Sequence, residues 1–296
     1  YQRSRGLGDV YKRQILKLGI IFLGIQLKPF EFIEFGKIAI PLIIICIISV
    51  LVIIKLLITK LKIPTRMAYL ISIGSTVCGT TAIMATAPVI KANKNEVSYA
   101  IANITLFGIL SMLLYPYFAN FYFEGNSLFA GLFLGTAIHE TSQVAAAGLI
   151  YDQQFSSPET LNIATVTKLI RNTFLIVMIP LFAFLYNRGL VKEKNYSIIN
   201  IFPYFILGFV GMIVFRNLGD QIFTAYNNDI WVETINFIKF FSKVFLTMAM
   251  AAIGLSTNLK DIKSMGYKPF VVGFIAMLTV GIVSILTIEI YLKFFI

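Results

Sequence analysis

The chain has 296 residues, 58% of them hydrophobic and only 13% charged, with 25 Lys and Arg against 14 Asp and Glu for a formal net charge of +11. A soluble domain carries about 25% charged residues, so a mean hydropathy of +0.83 excludes an ordinary water-soluble enzyme. A nucleic-acid-binding surface is excluded as well, because the basic residues are parcelled out between apolar runs rather than gathered in one patch.

The chain opens with YQRSRGLGDVYKRQ, residues 1–14. This stretch has no initiator Met and neither the apolar centre nor the cleavage site of a signal peptide. It reads either as sequence foreign to the fold, similar to translated adaptor sequence, or as a short cytoplasmic tail. The expected division is a non-native or disordered polar tail over 1–14 and a single transmembrane domain over 15–296.

Beyond it the apolar runs follow one another. A helix needs about 20 mostly apolar residues to cross a bilayer. The runs 38–54, 67–90, 97–123, 196–215, 244–259 and 270–288 meet or approach that length. Two more, 125–150 and 164–185, do so with charge inside, and 15–27 is a shorter candidate. All are too uniformly apolar for porin strands, which alternate over about ten residues. The expected fold is all-α, a polytopic helical membrane protein with about nine membrane segments. Lys55, Lys60, Lys62 and Arg66, then Arg188, Lys192 and Lys194, then Lys260, Lys263 and Lys268 fall on the side of Lys12, Arg13 and Lys17 if every run crosses. That bias places the N-terminal end in the cytoplasm, with Lys91 and Lys94 running against it. Cys46 and Cys78 both lie in apolar runs and make no disulfide framework.

Two segments resemble each other. GIQLKPFEFIEFGKIAIP, from Gly24, and GLSTNLKDIKSMGYKPFV, from Gly254, each place an acid seven positions after the first glycine (Glu31, Asp261) and a second glycine twelve positions after it (Gly36, Gly266). An odd number of span positions separates the copies, which would set them in opposite orientations. Inverted repeats with interrupted helices characterise secondary transporters.

Three polar patches interrupt the apolar runs. In GSTVCGTTAIMATAP, 74–88, a continuous helix would gather Ser72, Ser75, Thr76, Gly79 and Thr80 on one face, beside Cys78. Gly74, Gly79 and Pro88 weaken that helix, and freed backbone groups are tolerated in a membrane only within protein or along a wet cavity. The plainer reading is a close helix-packing face of small residues. In GTAIHETSQVAAAG, 135–148, Thr136, His139, Glu140 and Gln143 fall within an arc of about 100°, with Ala146, Ala147 and Gly148 leaving space beyond. Ionisable groups at membrane depth cost at least ~2.5–3.5 kcal/mol and face a partner or a cavity. His139 and Glu140 are therefore either a buried packing pair or carriers of a coupled proton. In ATVTKLIRNTF, 164–174, Thr165, Lys168, Arg171 and Asn172 share a side. The two cations either snorkel to a headgroup region or form an anion-binding face. Together the patches would suit a compact oxyanion, provided that the three helices meet.

An enzyme is not expected. His139-Glu140 opens like the HExxH zinc motif, but Gln143 stands where the second histidine would be and the chain has a single histidine. A lone thiol such as Cys78 in an apolar span is inert as a rule. No metal or cofactor is expected.

The stretches GSTVCGTTAIMATAPVIKA, GTAIHETSQVAAAG, TKLIRN and MAMAAIGLSTNLKDIKSMGYKP resemble, in order and spacing, the bacterial YeiH-like membrane proteins, to which sulfate export is ascribed. The resemblance runs from about residue 15 to the end of the chain. It implies a multi-pass protein of the bacterial inner membrane, with further spans before the position of Ile15. The functional expectation is a secondary transporter, an exporter of a small anion such as sulfate or a sulfonated compound, coupled to protons. The alternatives are a sodium-coupled organic-anion carrier, as the likeness of the repeat to bile-acid-symporter-like folds suggests, or a non-transporting receptor or structural protein. The candidate substrate- or ion-binding residues are Ser75, Thr76, Cys78, Gly79, Thr80, His139, Glu140, Gln143, Lys168, Arg171 and Asn172. The expected partners are the small anion, membrane lipid and a proton or sodium ion, with no nucleic acid; a homo-oligomer is left open.

Overall fold

The computed structural model describes residues 14–15, 17–26, 33–157, 159–190, 204–223, 229–255 and 266–295. Every element among them is helical. In chain order they are α1 (Lys17–Gln26, whose last turn Gly24–Gln26 is 3-10), α2 (Ile33–Leu61), α3 (Thr65–Thr76), α4 (Thr80–Thr86), α5 (Lys94–Tyr122), α6 (Ser127–Ala137), α7 (Thr141–Phe155), α8 (Thr160–Thr173), α9 (Leu175–Leu190), α10 (Phe205–Phe223), α11 (Asp229–Leu255) and α12 (Lys268–Phe295). Five stretches among the described residues are long and apolar enough to cross a membrane: Gly36–Leu61, Lys94–Tyr122, Thr160–Tyr186, Phe205–Phe223 and Lys268–Ile290. This is a polytopic helical membrane protein.

Local chemistry sets the helix ends. Asn93 and Glu96 form a reciprocal capping box at the start of α5, with Asn93 Oδ1 accepting from Glu96 N–H and Glu96 Oε2 accepting from Asn93 N–H, each at 2.8 Å. Asn126 caps α6 by accepting from the Phe129 N–H at 3.1 Å. The α7–α8 turn is closed by Ser156 in the left-handed region and by Asp152, whose carboxylate accepts the Leu161 N–H at 3.2 Å.

Two long helices carry one face to the surroundings and one to the core. On α2, Ile44, Ile48 and Val52 are exposed at four-residue spacing while Ile43, Ile47 and Ile54 are buried. On α5, Leu106, Leu110, Leu113 and Leu114 are exposed while Ile104, Phe107 and Ser111 are buried. In water such apolar faces would be untenable; in a bilayer they are the lipid-facing stripes. α12 sits among α2, α3, α5 and α6. It is held by a 2.6 Å hydrogen bond between the Thr136 and Ser284 hydroxyls and by Asn103, whose Nδ2 donates to the Pro269 carbonyl at 2.8 Å.

Several expectations change here. The run 125–150 is two helices, α6 and α7, and 67–90 is likewise two, α3 and α4. The run 164–185 is α8 followed by α9, with a turn at Phe174. The helix expected over 196–215 is α10, extending to Phe223, because Asp220 accepts from both Arg216 Nε at 2.7 Å and Trp231 Nε1 at 2.8 Å and so hides its charge. The helix expected over 244–259 begins much earlier, at Asp229. Of the repeated segments, Gly36 is buried and Gly266 has φ +72°, whereas the acids Glu31 and Asp261 lie outside the described residues.

Candidate functional site

The two interrupted helices break in different ways and meet at one place. Between α3 and α4 the chain turns through Val77, Cys78 and Gly79, and Gly79 has φ +65° and ψ −125°. Only glycine occupies that region without strain. A Cβ there would lie 2.5 Å from Glu140 Cγ, so glycine is also required by the approach of the second break. Between α6 and α7 the chain becomes extended at Ile138 and Glu140, with ψ near 141° and 145°. The Glu140 carboxylate reaches across to the first break and accepts the Thr80 N–H at 3.1 Å.

A helix that stops inside a membrane leaves carbonyls unpaired at its C-terminal end, where the macrodipole is negative. Here α8 supplies the missing donors. Lys168 Nζ donates to the carbonyls of Val77 at 2.8 Å, Ile138 at 2.9 Å and His139 at 2.5 Å. Arg171 Nε donates to the Thr76 carbonyl at 2.8 Å, Nη2 to Ser75, and Nη1 to Thr136 and, at 3.3 Å, to Ile138. One ammonium and one guanidinium thus cap the C-terminal ends of both α3 and α6. The three donors of Lys168 are matched by three acceptors, and both side chains are buried, Lys168 at 0% and Arg171 at 1% exposure. Neither snorkels.

α8 can come this close because α6 has no side chains in the way. Gly131 and Gly135 face it at four-residue spacing, and a Cβ on Gly135 would lie 2.5 Å from Thr167 Cβ and 2.6 Å from the Ala164 carbonyl oxygen. This is the small-xxx-small contact of membrane helices. Gly148 of α7 serves the same purpose: the space expected beyond Gly148 is filled by Leu161, whose Cα would be 2.7 Å from a Cβ there.

A cavity of about 530 Å³ opens beside the two breaks. Of the sequence candidates, Cys78, Thr80, Glu140 and Asn172 line it. Thr81, Thr141 and Ser142 join them from the same breaks, and Gln26, Lys243 and Thr247 line it from α1 and α11. The other candidates lie elsewhere. Ser75, Thr76, His139, Lys168 and Arg171 form the buried layer behind the cavity. Gln143 points at α5, where its Nε2 donates to the Thr105 carbonyl at 3.4 Å and Gly108 leaves room for its amide. The single faces drawn for 72–80 and 136–143 do not form, because a helical arc does not survive a break at 77–79 or 138–140.

Some buried polar atoms have no hydrogen-bond partner: Ser75 Oγ, both ring nitrogens of His139, Gln143 Oε1 and Asn172 Oδ1. Asn172 alone of these four residues borders the cavity; its Nδ2 donates to Thr141 Oγ1 at 3.2 Å. Lys243 was not a sequence candidate. It lies beside the start of a run read as beginning at residue 244, where a flanking lysine looks like a boundary marker.

The family model described as Conserved hypothetical protein 698 matches residues 2–273. This chain belongs to that family. It is 35% identical over 280 residues to a UPF0324 membrane protein of Fusobacterium nucleatum, covering 92% of this chain and 80% of the relative. A UPF0324 membrane protein of Clostridium tetani is 33% identical over 298 residues, covering 96% of this chain and 81% of its own. One from Streptococcus pyogenes serotype M18 is 36% identical over 275 residues, covering 92% and 78%. No solved structure matches. The resemblance to the YeiH-like proteins therefore holds at the level of family, and the relatives' names specify a membrane protein and no substrate.

Proposed function

We propose that this protein is a secondary transporter of small anions, with Glu140 carrying a coupled proton. The observation that carries the reading is the cavity of about 530 Å³ onto which two helix breaks open together. Interrupted helices inside a membrane are costly unless they line a site, and paired interruptions are the usual construction of a transporter's substrate site. Cavities of about 300–1,000 Å³ hold small-molecule ligands.

Glu140 is the preferred proton carrier over His139. Its carboxylate lines the cavity while accepting the Thr80 N–H. Protonation would weaken that bond and loosen one break from the other, which couples proton occupancy to the local shape. The His139 ring is fully buried and does not border the cavity. Lys168 and Arg171 act in this reading as supports that hold the breaks open, since their donors are engaged by carbonyls.

A second reading, a sodium-coupled organic-anion carrier, draws on the unpartnered Asn172 Oδ1 and on the hydroxyls of Thr80, Thr81 and Thr141 around the same cavity. Oxygen donors of this kind suit a hard cation.

The test is counterflow of labelled sulfate and of a panel of small anions in proteoliposomes, run in parallel with this chain and the Fusobacterium relative. Proton and sodium gradients are imposed separately. Saturable flux that follows the proton gradient supports the first reading, and flux that follows sodium at fixed pH supports the second. No saturable flux of any anion in the panel, from either protein, refutes both.

A further inference from the structure

An anion entering a membrane cavity loses hydration and needs a positive partner with donors to spare. The two obvious cations cannot supply one. Lys168 has three carbonyl acceptors for its three protons, Arg171 donates from all three of its nitrogens, and both lie behind the cavity rather than on its wall. Among the described lining residues two are charged, Glu140 on the side of the breaks and Lys243 on α11.

Lys243 sits in FIKFFSKVFLTMAM, within a long apolar helix, where a lysine is expensive unless it meets water or a counter-charge. Its orientation is set by its neighbour. Ser242 is fully buried and its Oγ donates to the Gly19 carbonyl of α1 at 2.9 Å, which fixes how α11 is rotated against α1. Lys243 and Thr247, one turn apart, then both face the cavity, and Lys243 is exposed there.

The start of α7 borders the same cavity. The helix is fifteen residues long, and its N-cap residue Glu140 makes no side-chain hydrogen bond to the α7 amides. Thr141 and Ser142 of its first turn line the cavity. Asn172, 4% exposed, borders the same space with its amide oxygen unpartnered, an acceptor suited to a donor group or bound water on the ligand and not to its negative charge. An ammonium and a helix N-terminus share this space, and they favour negative charge there when the Glu140 carboxylate at the same helix end carries its proton.

We infer that Lys243 is the residue that recognises the substrate anion, holding it between α11 and the first turn of α7; this rests on the transporter reading. Leu23, Ala145 and Leu169 supply apolar lining to the same cavity. At ~30 Å³ per water, about 530 Å³ is far more than a bare oxyanion fills. The ligand class is therefore a small anion with a short apolar body, such as an alkanesulfonate or a short carboxylate, with hydrated sulfate as its smallest member. A lysine suits this breadth, because its point charge with rotatable donors imposes less geometry than the planar fork of arginine.

The test is calorimetric binding of inorganic sulfate, ethanesulfonate and propionate to the whole chain in nanodiscs. The variants are Lys243→Gln, Lys243→Arg and, as a control that removes one exposed charge elsewhere, Lys55→Gln. The expected result is binding of at least one probe, weakened tenfold or more by Lys243→Gln and by less than threefold in Lys243→Arg and Lys55→Gln. Equal affinity in Lys243→Gln and the unaltered chain overturns the inference. So does weakening to the same extent by Lys55→Gln, which would make the effect one of net charge. Binding of none of the probes also overturns it. Lysine-dependent binding without counterflow sustains the inference and refutes the transporter reading.

Discussion

Replacing Lys168 by Met tests whether one ammonium really caps two interrupted helices. The substitution keeps most of the side chain's length and bulk and removes three hydrogen bonds, to Val77, Ile138 and His139. An acceptor left buried and unpaired costs about 1–3 kcal/mol, so three give about 3–9 kcal/mol. The unaltered protein bears the desolvation of a buried ammonium, which Met relieves. The net loss should resemble that for breaking a buried charge interaction on one side only, about 3–5 kcal/mol. At roughly 2–4 °C per kcal/mol for domains of ~150–250 residues, the apparent melting temperature in detergent should fall by about 6–20 °C. Lys168→Gln, which retains two donors, should fall by less than half as much. The assay is loss of the monodisperse peak in fluorescence-detected size exclusion after heating. A melting temperature for Lys168→Met within 2 °C of the unaltered chain, the scale of ~1 kcal/mol, would refute the capping account.

Gly79→Ala must strain a backbone with φ +65° and push Glu140 Cγ from 2.5 Å, at about 1–3 kcal/mol for the backbone alone; thermal unfolding should show the loss, and flux should fall even in the fraction that folds. Glu140→Gln should abolish the coupling of counterflow to an imposed proton gradient, whereas His139→Ala should retain it; the opposite pattern would return the proton to His139. Gly135→Leu should separate α6 from α8 and cost at least ~1–3 kcal/mol by overpacking, with loss of monodispersity as the readout. Ser284→Ala removes the partner of the buried Thr136 hydroxyl and should cost only about 0.6 kcal/mol, because Thr136 Oγ1 still donates to the Leu132 carbonyl at 2.7 Å.

The membrane class was legible, and with it the runs 38–54, 97–123, 164–185 and 270–288, because lipid imposes long apolar runs; against about nine segments expected, five stretches among the described residues are long and apolar enough to cross. The interruption at Gly79 was legible too, since glycines and a proline crowd 74–88. What the sequence withheld is where side chains point once a helix stops. Placing Thr136, His139, Glu140 and Gln143 on one wheel assumed an unbroken helix, and the extended residues 138 and 140 send them apart. Lys168 and Arg171 were recognisable as a pair, but their acceptors are backbone carbonyls, which leave no mark on residue type. The Gly131–Gly135 spacing is visible in the sequence, yet its partner surface on α8 is settled only by packing. Lys243 was hidden by its position at the edge of an apolar run.

The capping of α3 and α6 by α8 also has a consequence in time. Residues are made in order, and the carbonyls of Val77 and Thr76 are synthesised some ninety positions before the side chains that satisfy them, Lys168 and Arg171. Until α8 enters the membrane, neither interrupted helix can be completed, and each has reason to remain at the translocon or to keep water at its broken end. A ribosome stalled before α8 has left it should therefore carry a nascent chain whose first interrupted helix is still open to protease, and entry of α8 into the membrane should close it. The two charges that hold the finished protein together are also the step for which its biogenesis has to wait.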